Sequence, residues 1–234
     1  MKAGTLDLLL VPLGLALMVG YHFWLFHQIK RCPKRTVIGI NSIHRLIWVQ
    51  AMMEDPSKNG VLAVQTLRNN IMASSLLASA VIMLSSVIAM LMSRPSAEAS
   101  LFLYGDNSHL GFSIKVFSIL VCFLVAFLFN VQSVRYYSQA SILINVPSTK
   151  ILSWSPSLTM DYVVRSVNRG SYFWSLGSRA FYLSFPLFLW LFGPIPMFLC
   201  CIVLVLMLYS LDMSAEFGPE GESDDEKEVA KLPA

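Results

Sequence analysis

Four stretches of this chain contain no Asp, Glu, Lys or Arg: residues 8–29, 69–93, 116–134 and 180–211. Each reaches the roughly 18–20 residues that ~30 Å of hydrocarbon demands at ~1.5 Å per helical residue. Within lipid an unpaired backbone N–H or C=O costs several kcal/mol, so a spanning run must satisfy its own backbone as a helix. The short alternating segments of a membrane β-barrel are missing. An apolar fraction of 56%, a charged fraction of 13% and a mean hydropathy of +0.62 argue against an ordinary soluble domain.

The expected fold is therefore all-α: an integral membrane bundle of four transmembrane helices over about 5–28, 70–93, 113–134 and 180–211. Residues 1–213 form the membrane domain, and 214–234 read as a disordered acidic tail. The first run reads as a retained span. One Lys2 opposed by Asp7 is a poor basic leader, and Tyr21, Phe23, Trp24 and Phe26 stand where a cleavage site would be. Residues 36–54 repeat Ile40, Ile43 and Ile47 beside Leu46, Val49 and Met53 at helical spacing. They predict an amphipathic helix lying on the membrane or packed on other helices. A turn over 55–60 follows, and the second and third spans are expected to overshoot the hydrocarbon at one end. Residues 147–179, with Pro147, Pro156 and Gly170, predict short helices and turns.

The last run holds 32 uncharged residues. As one helix it would reach ~48 Å, too long for a straight span, whereas two full spans and a turn need ~40 residues. Gly193, Pro194 and Pro196 break the amide ladder at its middle. A single fourth span, kinked or broken there, is the reading adopted, with a tight hairpin as the alternative. Lys30, Arg31, Lys34, Arg35, Arg45, Lys58 and Arg68 follow the first span. Arg135, Lys150, Arg165, Arg169 and Arg179 follow the third, and Arg94 and Lys115 flank the loop after the second. The positive-inside rule places the two richer connections in the cytosol and, with four spans, both termini outside. Ser223, before Asp224, Asp225 and Glu226, has the form of an acidic-directed kinase site if its side is cytosolic.

Several blocks carry a family resemblance. Residues 68–74 open the second span with Arg-Asn-Asn-Ile-Met-Ala-Ser. Residues 130–138 close the third with Asn-Val-Gln-Ser-Val-Arg-Tyr-Tyr-Ser, and Leu143, Ile144 and Asn145 follow. Arg169-Gly170-Ser171, residues 177–182, Pro186, Trp190 and residues 192–196 fill the last third. Together they resemble a plant and bacterial membrane family known as domain of unknown function five-nine-nine, nearer its plant members, over about residues 6–213. The resemblance implies an integral membrane protein and brings no reaction, ligand or catalytic residue with it.

The expected cytosolic rim gathers Arg68, Asn69, Asn70, Gln132, Arg135, Tyr136, Tyr137, Arg169 and Arg179. Guanidinium groups hold phosphate oxygens bidentately, so these residues are the candidates for binding anionic lipid. Ordinary orientation anchors are the plainer reading. Small residues recur four apart (Ser74 and Ala78, Ser75 and Ser79, Ser85 and Ala89, Ala16 and Gly20), which suits close helix packing better than a serine-lined solute path. His22 and His27 read as interfacial side chains, since neither metal nor proton relay has a carboxylate partner within the uncharged runs. Cys32, at the membrane edge among cations, is a candidate for acylation. No phosphate-binding loop, nucleophile elbow, zinc motif or paired-cysteine framework occurs, so no cofactor or metal is expected. The basic residues have a membrane explanation, and nucleic acid is not an expected partner.

The reading is a non-enzymatic protein of the plasma membrane or an internal membrane. Its partners are membrane lipids, with a protein partner or a second copy as further candidates. A small transporter or channel is the first rival; the broken last run favours it, and the lack of charge within the spans opposes it. A lipid-modifying enzyme is the second rival. Its raw material would be His44, Glu54 and Asp161.

Overall fold

The computed structural model describes residues 3–92, 109–146 and 156–213. Among these are six α-helices: α1 (Ala3–Arg31), α2 (Val37–Glu54), α3 (Pro56–Met92), α4 (His109–Leu143), α5 (Pro156–Leu189) and α6 (Pro194–Asp212). A single 3-10 turn, Pro33–Arg35, lies between α1 and α2. The expected acidic tail lies outside the described residues.

Local chemistry sets the boundaries. Thr36 is extended, and its Oγ1 accepts from Gly39 N at 3.3 Å, capping α2. Asp55 accepts from Lys58 N at 3.2 Å, and Pro56 occupies the first turn of α3, where its missing amide costs nothing. The turn expected over 55–60 thus shrinks to one residue, because a cap and a proline suffice to restart the helix. At the other break, Gly193 adopts φ 147°, a conformation closed to side-chain-bearing residues, and Pro194 opens α6.

Residues 147–179 depart from the expectation of short pieces. From Pro156 onward they form one continuous helix that runs on through the apolar stretch to Leu189. Gly170 does not end this helix; it lets the Tyr137 ring approach. A Cβ there would lie 3.1 Å from two ring carbons.

The long helices pack as neighbours whose contacts fix their directions. Ser74 of α3 meets Ser133 of α4, and Ser133 meets Gly170 of α5. Phe123 of α4 stacks on Phe181 of α5, and Tyr136 of α4 stacks on Phe173 of α5. These pairs make α5 antiparallel to α4. Asp7 of α1 accepts from Trp190 just past α5, Gly14 faces Cys201 of α6, and Tyr21 bonds Asp212 at the end of α6. Hence α6 runs parallel to α1, and Arg179 of α5 reaches Asp212 because the chain has doubled back between them.

This geometry corrects the reading of residues 180–211 as one kinked span. The break at Gly193 is present, but it is the apex of a helical hairpin whose ascending arm is the end of α5. Four helices are long and apolar enough to cross a membrane: α1, α3, α4 and α6. With them α5 stands as a fifth rod. The start of α1 and the end of α6 therefore lie at opposite ends of the bundle. An isolated bridge between Thr36 and Met213 fastens the end of α6 beside the α1–α2 connection.

Two cores stack along the bundle. The larger includes Met18, Val81, Ile119, Ala126, Leu187, Met197 and Cys201. The smaller lies where α3, α4 and α5 overshoot and α2 packs across them; it holds Val49, Leu67, Tyr137, Ala140, Ile144, Val163 and Val167. Between the two, Ser74 Oγ and Ser133 Oγ lie 3.1 Å apart, and Ser133 donates to the Gly170 carbonyl at 2.9 Å.

Candidate functional site

Cations segregate strongly. Lys30, Arg31, Lys34 and Arg35 lie on the α1 end and the 3-10 turn, Arg45 on α2, Lys58 and Arg68 on the first half of α3, Arg135 near the end of α4, and Arg165 and Arg169 on the first half of α5. All belong to the end of the bundle that carries the smaller core. Burial strips water from the Arg45 guanidinium and lowers its pKa from the ordinary value, while its Nε donates to Asn168 Oδ1 at 2.8 Å. Arg45 therefore clamps α2 onto α5 rather than facing a ligand.

The rim residues predicted from sequence divide into two groups. Arg68, Asn69, Asn70, Arg135 and Arg169 are exposed at the basic end, with Gln132 and Tyr136 half-buried beside them. Arg169 lies over the Tyr136 ring at 6.0 Å, and that ring stacks on Phe173 with centroids 5.4 Å apart. Tyr137 turns inward into the smaller core. Arg179 is separate. Nine residues above Gly170, or about 14 Å along α5, it points between α1 and α6.

There Arg179 Nη2 donates to Asp212 Oδ1 at 2.5 Å, and Tyr21 Oη donates to Asp212 Oδ2 at 2.6 Å. The two charged side chains are only 12% and 9% exposed, so they form a buried pair joining three helices. Arg179 Nη1 is buried with no partner among the described residues. Asp212, the first acid after the last uncharged run, thus belongs to the bundle interior. The signal was present in outline: the uncharged run is bounded by an Arg at one side and an Asp at the other. At the opposite end, Trp190 Nε1 donates to Asp7 at 3.2 Å, and the 4%-exposed Lys115 sits over the Trp190 ring at 5.5 Å.

Along α3, Ser79, Ser85 and Ser86 bond within their own helix, donating to the carbonyls of Ser75, Val81 and Ile82. A cleft of about 400 Å³ between α3 and α4 is lined by Val81, Ile82, Ser85, Ser86 and Ala89 of α3 and by Leu120, Phe123, Leu124 and Phe127 of α4.

The family model described as protein of unknown function, DUF599, matches residues 9–217. The chain belongs to the DUF599 family. No curated protein and no solved structure matches it. In this DUF599 chain His22 Nδ1 lies 2.7 Å from the Met18 carbonyl, and His27 is exposed. His44, Glu54 and Asp161, the raw material of a hydrolytic site, are all exposed on the basic end. Among the described residues no three His, Cys, Asp or Glu side chains gather as metal ligands would. Cys32 is a free, half-buried thiol between Arg31 and the Pro33–Arg35 turn.

Proposed function

We propose that the DUF599 chain is a multi-pass membrane protein that seats its basic end in the head groups of anionic lipid. The observation that carries this is the segregation of charge along an apolar rod. No more than 28% of each long apolar window is buried, so Leu8, Phe23, Leu76, Met83, Phe117, Val203 and Leu206 face outward. Water would oppose that surface and hydrocarbon accepts it. The nine cations other than Arg45 at that end then meet the polar layer of the leaflet, where each basic side chain near an anionic surface contributes about 1 kcal/mol.

Within that end, Arg68, Asn69, Asn70, Gln132, Arg135, Tyr136 and Arg169 are the head-group ligands proposed. Arg179 leaves the set, because its charge is already neutralised by Asp212. The test is the anionic lipid that co-purifies with an Arg68→Ala, Arg135→Ala double variant. A loss of bound phosphatidylglycerol or phosphatidylserine supports the reading, and unchanged lipid content overturns it.

The buried Arg179–Asp212–Tyr21 cluster, held between the two arms of a helical hairpin and α1, favours a second reading as a small transporter. Broken helices and paired intramembrane charges recur where solutes cross bilayers. Solute flux into proteoliposomes that falls in Tyr21→Phe, with protein content equal, would select this reading over the first.

A further inference from the structure

The bridge between Thr36 and Met213 has a consequence for the residues that follow Met213. Thr36 directly follows Arg35, so the chain leaves α6 beside a residue one position from Arg35 and two from Lys34, and close in sequence to Lys30 and Arg31. All four of these cations are exposed, and none is ion-paired among the described residues; Lys30 alone has a partner, the Phe26 ring at 4.3 Å. Residues 214–234 carry seven acids, Glu216, Glu220, Glu222, Asp224, Asp225, Glu226 and Glu228, against Lys227 and Lys231. An extended chain covers about 3.3 Å per residue, so Glu220 lies within a reach of roughly 23 Å from Met213.

We propose that the acidic segment 216–228 is the intramolecular occupant of the Lys30, Arg31, Lys34, Arg35 cluster, where it competes with anionic lipid. The competition with lipid rests on the function proposed above; the contact itself does not. Tethering at Met213 holds the acids near the cluster at an effective concentration of the order of millimolar. Opposite charges at that spacing attract within the Debye length of about 8–10 Å at moderate salt. Phosphorylation of Ser223, which stands amid these acids, adds about −1.5 to −2 charges and tightens the contact.

Zero-length carbodiimide cross-linking of the full-length protein in a zwitterionic detergent, mapped by mass spectrometry, tests this. Amide links from Lys30 or Lys34 to carboxylates between Glu216 and Glu228 are expected. They should weaken at least about fivefold in 0.5 M salt, where the Debye length falls to roughly 4 Å. They should also exceed links from Lys58 to the same carboxylates. Absent links, or links from Lys58 of equal yield, overturn the proposal whatever the lipid results are. Vesicles with 30% phosphatidylserine form a second arm. If they displace the links, the competition stands. If the links form and persist, the competition is overturned while the contact is kept, and the co-purification test then decides the lipid reading separately.

Discussion

Removing the Asp212 carboxylate is the sharpest perturbation the structure offers. In Asp212→Ala the Arg179 guanidinium stays within a bundle that leaves it 12% exposed, without its counter-charge, and the Tyr21 hydroxyl loses its acceptor. Breaking a buried pair by deleting one partner costs about 3–5 kcal/mol, because the surviving charge remains desolvated. The lost Tyr21 bond leaves a further buried donor, whose unpaired cost is about 1–3 kcal/mol. For a domain of 150–250 residues each kcal/mol moves the midpoint by about 2–4 °C, so a fall of roughly 8–32 °C is expected. Replacing both charges, as in Arg179→Met with Asp212→Leu, removes the pair without stranding either member, and most of the loss should be recovered. The assay is thermal unfolding in one detergent at one scan rate, since unfolding of such proteins is often irreversible. If the single and double variants melt together, or if Asp212→Ala melts within about 2 °C of the parent, the pair is not the clamp argued here.

Three other outcomes follow from the packing. Ser133→Ala deletes the hydroxyl shared by Ser74 and the Gly170 carbonyl, and should lower stability by about 1–3 kcal/mol in the same melt. Gly193→Ala forces a methyl onto φ 147° and should cost about 1–3 kcal/mol, whereas Gly20→Ala, with open space around its Cβ position, should cost little. In sealed vesicles a cysteine introduced by Gly221→Cys should be labelled by an impermeant maleimide from the same side as one introduced by Ser57→Cys, in a background lacking native cysteines. Labelling from opposite sides would refute the parallel arrangement of α1 and α6.

Much of the architecture was legible from the chain alone, and the exceptions have identifiable causes. The first three uncharged runs, the amphipathic repeat ending at Glu54 and the overshoot of α4 past Asn130 appear as helices among the described residues, and the fourth run is divided between α5 and α6. The doubling back was hidden by length arithmetic, which assumed that both arms of a hairpin must be free of charge. The ascending arm instead draws on residues before Ala180, and the one charge it carries inward is neutralised by Asp212 from the other arm. Gly170 reads as a helix breaker in one dimension; in three it is the site of a close approach to Tyr137. Among the rim residues, local sequence set Arg68 and Arg135 at the edges of uncharged runs, and in the structure both lie within helices that continue past those edges. Local sequence could not show that Arg179 belongs elsewhere, since its partner is 33 positions away.

The pairing of the first helix with the last also sets an order of events during synthesis. Tyr21 and Asp212 are separated by 191 positions, so at roughly 5–20 residues per second α1 is complete for about 10–40 s before its neighbour exists. During that wait the Tyr21 hydroxyl has no native acceptor, while α3, α4 and α5 are free to assemble through contacts closer in sequence. The newborn chain is thus an open ring that the arrival of α6 closes, and any factor that shields α1 until then would govern how much protein reaches its finished form.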